Sequence, residues 1–122
     1  MNSRRKGHDG EREIAALLRE ALGIEIERNL RQTRDGGHDL EVCGFALECK
    51  RSATVTEAKV ARWWQQAVEQ STRAGLIPAL AYRADRQPWA VRVPMTAIRP
   101  DILGELTIDM GLDGFVALAR EH

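Results

Sequence analysis

Asp39 and, beyond a short apolar stretch, the run Glu48-Cys49-Lys50 put two carboxylates and an amine at a spacing that could cleave a phosphodiester with a metal's help. The local sequence is Gly36-Gly37-His38-Asp39-Leu40-Glu41-Val42-Cys43-Gly44-Phe45-Ala46-Leu47-Glu48-Cys49-Lys50. If the second half is a strand, alternation puts Phe45, Leu47 and Cys49 on one face and Ala46, Glu48 and Lys50 on the other. Gly44 marks a tight connection that folds the segment bearing Asp39 back beside them. A hard cation such as Mg2+ or Mn2+ takes oxygen ligands and keeps several waters, so one or two carboxylates plus a phosphate suffice to hold it. There it would polarise the phosphate and lower the pKa of an attacking water. Lys50 could orient that water or offset charge on the phosphorane. A surface hairpin with a cross-strand Lys–Glu pair fits the same local pattern.

A third acid favours the chemical reading. Residues 10–22 predict an amphipathic helix, with Ile14, Leu17, Leu18, Ala21 and Leu22 at helical spacing and Gly23 ending it. Glu11 extends the apolar stripe in the first turn of that helix, whereas Glu13 falls nearer the solvent side. The helix dipole tolerates an acid in a first turn. One aligned with a buried stripe needs a partner, which a metal site or a lysine would supply.

Four motifs in order, Arg5-Lys6-Gly7, Glu11-Arg12-Glu13-Ile14, Gly37-His38-Asp39-Leu40 and Leu47-Glu48-Cys49-Lys50, resemble the archaeal-type Holliday junction resolvases. These belong to the PD-(D/E)XK nuclease superfamily and are also carried by bacterial viruses. The resemblance covers about residues 4–93. It implies that Asp39 and Glu48 bind the metal, joined by the backbone carbonyl of Cys49. It further implies that Glu11 completes the acidic cluster and that Lys50 is the catalytic lysine. His38 stands where the superfamily's name places proline.

The chain of 122 residues, 43% of them hydrophobic, supports one domain with a modest core. Its nuclease core is expected over about residues 7–93, with a packing extension over about 94–122. No stretch approaches a membrane span, and no apolar run follows the charged N-terminus. Cys43 and Cys49 suit reduced thiols in a cytoplasm, that of the host cell for a virus-encoded protein. The formal net charge of zero opposes DNA binding, but its distribution does not. Residues 1–99 carry 17 basic and 13 acidic side chains, residues 100–122 only 1 and 5. Arg4, Arg5 and Lys6 precede the helix, Arg31 and Arg34 lie before Asp39, and Arg51 follows Lys50; all are expected to contact DNA phosphates.

The rest reads as the scaffold that positions these groups. Ile24–Leu30 alternates as a first strand. Thr54 with Glu57 predicts a capping box for a helix running to about Ala74. Its inner stripe is Val60, Trp64, Ala67, Val68 and Ser71, with Trp63 to one side, able to reach a dimer interface. Gln65 and Gln66 are within reach of the site. Strands follow at Ile77–Tyr82 and Trp89–Val93, and a last helix spans about Leu112–Arg120. The expected fold is α/β, a PD-(D/E)XK core whose mixed sheet of about five strands has a three-strand meander at its centre and helices on its faces. The crossover helix would set the strand after it parallel to its neighbour. Resolving a four-way DNA junction takes two opposed nicks, which implies a homodimer, with no organic cofactor and no membrane partner. A nuclease acting on duplex, flap or damaged DNA, or a non-catalytic DNA-binding protein on this scaffold, remain rival readings.

Overall fold

The computed structural model describes residues 3–26 and 39–122, with side chains in the first helix from Asp9 onward. Its elements run α1 (Ser3–Leu22), β1 (Leu40–Val42), β2 (Phe45–Ser52), α2 (Glu57–Ala74), β3 (Ile77–Ala84), β4 (Ala90–Pro94), β5 (Thr107–Gly111) and α3 (Leu112–Arg120). The five strands form one sheet in the order β1-β2-β3-β4-β5. All neighbours are antiparallel except β2 and β3, which α2 joins as a parallel crossover.

β1 and β2 form a hairpin with Val42 paired to Phe45. Its two linking residues, Cys43 and Gly44, have φ of 49° and 87°. Two successive positive φ values match the right-handed twist of the flanking strands, and Asn-Gly suits them best. Cys43 sits there against its preference. Cys43→Asn is therefore expected to stabilise the protein by about 0.5–1 kcal/mol, read as a higher denaturant midpoint at unchanged slope.

The sheet divides the core by the parity of its residues. Phe45, Leu47 and Cys49 of β2, Ala79 and Ala81 of β3, and Val91 and Val93 of β4 meet Ile14, Ala15 and Leu18 of α1 and Phe115 and Val116 of α3. The opposite face packs Leu80 on Val60 and Ala67 of α2, with Trp63, Trp64 and Tyr82 at the margin. Even-numbered residues of β2, Glu48 among them, thus lie on the α2 side, in register with Leu80.

Four expectations are corrected. α1 begins at Ser3, so Arg4, Arg5 and Lys6 are helical; arginine and lysine are good helix formers, and Gly7 alone does not break the run. Glu11 then lies well beyond the first turn, and the dipole does not account for its burial. The capping residue of α2 is Thr56, whose hydroxyl accepts from the Lys59 N–H at 3.2 Å. Thr54 instead gives its carbonyl to the Lys59 ammonium at 3.0 Å. The buried stripe of α2 is Val60, Ala67, Gln70 and Ser71, while Val68 is exposed and Trp63 is packed beside Val60.

The expected strand Ile24–Leu30 is not one as far as Ile26, whose carbonyl accepts from Arg19 at 3.0 Å, and its remainder lies outside the described residues. The fifth strand is Thr107–Gly111, inside the expected packing extension, paired along its length with β4. Among the described residues, no helix is long and apolar enough to cross a membrane.

Candidate active site

Asp39 stands one step before the first ladder pair of the hairpin. Its N–H donates to the Leu47 carbonyl at 3.1 Å, which places it across from Glu48. Its Oδ2 accepts from the Cys49 N–H at 2.7 Å. That bond ties the carboxylate to the strand carrying Glu48 and Lys50.

Three acids are buried here: Glu11 is 7% exposed, Asp39 3% and Glu48 3%. Burial is the largest cause that raises Asp39 from 3.8 to about 9, followed by the charges of Glu48 and Glu11; the Cys49 N–H opposes the rise. Burial also raises Glu48, against the opposing pull of Lys50 and a hydrogen bond with Asp39. Without a cation, then, Asp39 keeps a proton at neutral pH. Such elevation among clustered acids is the mark of a site built for positive charge.

Lys50 Nζ lies 3.5 Å from Glu48 Oε1. Among the described residues, Oε2 of Glu48 is buried and no N–H donor reaches it. A shared proton or a bound cation would satisfy that oxygen. Among the described residues, no three His, Cys, Asp or Glu side chains stand together as a group that could hold a metal ion, so the protein would supply two carboxylates and leave the other positions to water and phosphate. An open set of carboxylate oxygens fits Mg2+ or Mn2+, which keep waters and take substrate phosphate. It does not suit zinc, which favours nitrogen and sulfur. The Cys49 thiol is packed in the core and pushed well up by burial, so this residue offers the site only its backbone.

The other expected residues divide. Arg31 and Arg34 lie outside the described residues, as do the side chains of Arg4, Arg5 and Lys6. Arg51 is turned to the α1 face, where it lies 3.7 Å from Glu13 and 3.6 Å from Asp85. Gln65 lines a groove of about 780 Å³ with Trp64, Pro78, Pro94 and Thr107, on the flank of α2 away from Glu48. Gln66 is exposed.

Glu13 lies nearer solvent than Glu11, as expected, with its side chain 33% exposed, but its partners were not foreseen. It accepts from Trp89 Nε1 at 2.9 Å and lies 3.5 Å from Arg83. Gly10, one turn earlier, was the available signal. It faces the sheet, where a methyl would make ordinary contact with Arg51 Cβ at 3.5 Å and Trp89 at 3.6 Å.

Comparison with known proteins gives the chain's family and fold. Residues 2–108 match a family described as "Phage putative PDDEXK endonuclease". Protein D14 of Escherichia phage T5 is 25% identical over 113 residues, covering 75% of this chain and 70% of that protein. The structure of Archaeoglobus fulgidus Hjc, a Holliday junction resolvase from an archaeal hyperthermophile, superposes with a TM-score of 0.50 at 15% identity. That superposition covers 91% of this chain and 96% of the other, and at such identity the likeness is one of fold.

Proposed function

The chain belongs to the phage PD-(D/E)XK endonuclease family, and from that premise we propose that it is a structure-specific, metal-dependent endodeoxyribonuclease that resolves four-way DNA junctions by paired nicks. The observation that carries the chemistry is the burial together of the acids Asp39, Glu48 and Glu11, with a Glu48 oxygen that no N–H among the described residues reaches and Lys50 beside it. Asp39 and Glu48 hold Mg2+ or Mn2+, with Glu11 alongside and the Cys49 carbonyl as a further oxygen. When bound, the cation supplies a Lewis acid to the scissile phosphate and an acidified water.

The chain's own groups do the rest. Asp39 gives up its proton on loading and stays oriented by the Cys49 N–H. Lys50, held toward the site by Glu48, steers the water and offsets charge as the phosphorane forms. Arg4, Arg5, Lys6, Arg31 and Arg34 contact backbone phosphates. Arg51 does so with whatever of its guanidinium Glu13 and Asp85 leave available.

Junction specificity is supported by the fold shared with the archaeal resolvase, and a homodimer follows from the need for two opposed cuts. The place of action is the host cell's cytoplasm. The test is cleavage with Mg2+ of an end-labelled four-way junction beside a linear duplex of the same arms, with sedimentation of the free protein. Symmetric paired nicks confined to the junction, made by a dimer, are expected. Equal cutting of both substrates would make it a nuclease of broader DNA specificity. Binding without cutting, in Mg2+ and in Mn2+, would leave a DNA-binding protein on a nuclease scaffold.

A further inference from the structure

Glu13 lies two residues from Glu11 on α1, about 200° away around the helix axis at 3.6 residues per turn. The buried stripe of α1 runs through Gly10, Glu11, Ile14, Ala15 and Leu18, so Glu11 lies within it and Glu13 stands beyond its Gly10 edge. Glu11 faces Asp39, at the β1 side of the sheet. Glu13 faces the ends of β2 and β3 and the chain entering β4. Three donors from three separate segments converge on it there. Trp89 Nε1 donates to Oε1 at 2.9 Å. Arg83 Nη1 lies 3.5 Å from the same oxygen, and Arg51 Nη1 3.7 Å from Oε2.

Each donor is itself braced. The Arg83 guanidinium lies over the Trp89 ring at 5.5 Å and donates to the Gln87 carbonyl at 3.3 Å. Arg51 turns its Nε toward Asp85 at 3.6 Å, and Gly10 of α1 faces Arg51 and Trp89, with room between them for about a methyl group. A surface ion pair between long side chains would be weak. Here a Trp N–H, an arginine stacked on that Trp and a second arginine hold the carboxylate from three directions.

We infer that Glu13 is a positioning residue: held by Trp89, Arg51 and Arg83, it sets the rotation of α1 on the sheet and thereby the place of Glu11 beside Asp39. With side chains reaching ~5–6 Å from the helix axis, a roll of ~20° would carry Glu11 by ~2 Å. Misplacement on the order of 1 Å is enough to cost about a hundredfold in rate. The inference rests on the proposed acid cluster, and its test separates the two.

The experiment is a double-mutant cycle read by calorimetric Mn2+ titration and by single-turnover cleavage. Glu13→Ala is expected to weaken Mn2+ affinity about tenfold, the scale seen when a group supporting metal ligands is lost. In a Glu11→Ala background the same change should have no effect, because the residue through which Glu13 acts is gone. Trp89→Phe, which removes one donor and keeps the ring, should show a smaller loss with the same dependence on Glu11. It also carries the cycle if Glu13→Ala fails to fold. An equal loss in both backgrounds, or no loss in either, would overturn the inference and leave Glu13 a stabilising contact only. Asp39→Asn is the control: full Mn2+ binding in that variant would overturn the acid cluster itself, and this inference with it.

Discussion

Asp39→Asn and Glu48→Gln will each lower cleavage by about a thousandfold or more, while junction affinity stays within about twofold of wild type. The asymmetry follows from what each change removes. The asparagine keeps an oxygen able to accept the Cys49 N–H that Asp39 receives at 2.7 Å, so the hairpin geometry survives. The glutamine that replaces Glu48 keeps a carbonyl facing Lys50, which lies 3.5 Å away in the wild type. Each variant loses only a negative oxygen from a cluster whose purpose, on this reading, is to hold a divalent cation. The proposed phosphate contacts by arginines elsewhere would be untouched, and contacts of that kind dominate binding. Single-turnover rates at saturating protein, beside a binding titration in Ca2+, separate the two quantities. Cleavage retained by both variants would sink the assigned site; lost junction binding would mean that the acids hold DNA rather than metal.

Strand alternation was the part of the site most legible in the sequence. It set Glu48 and Lys50 on one face of β2 against Phe45, Leu47 and Cys49 on the other, and the core divides along that line. Gly44 marked the turn, and its positive φ of 87° is the physical reason the signal was readable. β5 escaped because Thr107–Gly111 carries Asp109 and Gly111, and its exposure alternates only between exposed and half-buried. This edge strand sets only Ile108 and Met110, both half-buried, against the core, and pairing with β4 along its length completes its hold. The start of α1 escaped because its first residues carry no apolar period; helix propensity extends the helix to Ser3 without leaving that mark. Glu13 escaped because its partners, Arg51, Arg83 and Trp89, come from distant segments of the chain. A stripe drawn on one helix registers its own apolar side chains and says nothing of which charged residue on its margin meets an arginine from the sheet.

The same Asp39→Asn change that removes activity is expected to make the metal-free protein more stable at pH 8, by about 1–3 kcal/mol. The folded, metal-free chain holds the Asp39 proton up to about pH 9, whereas the ordinary value is 3.8. Between those limits the unfolded chain has released a proton that the folded chain still binds. Stability contributed by this group is therefore fully present below pH 3.8 and drains away as the pH climbs toward 9, by up to ~1.4 kcal/mol per unit. Asparagine carries no such proton and escapes the loss, so its melting temperature at pH 8 should exceed that of wild type by about 5–10 °C, with the gap closing toward pH 4. Mn2+ reverses the order. At ~100 times its Kd a cation stabilises the wild-type fold by ~2.7 kcal/mol, and it should leave Asp39→Asn nearly unmoved. Because loading must displace the Asp39 proton, Mn2+ affinity should rise with pH by up to about tenfold per unit below pH 9, and in Asp39→Asn that slope should flatten. Thermal melts at pH 5 and pH 8, with and without Mn2+, contain all of the stability comparisons, and calorimetric titrations across the same range give the slope. A wild type that out-melts the asparagine variant at pH 8 without metal would show that Asp39 is ionised and satisfied by its neighbours alone. The cluster would then be a structural knot in which Glu11 and Glu48 need no cation.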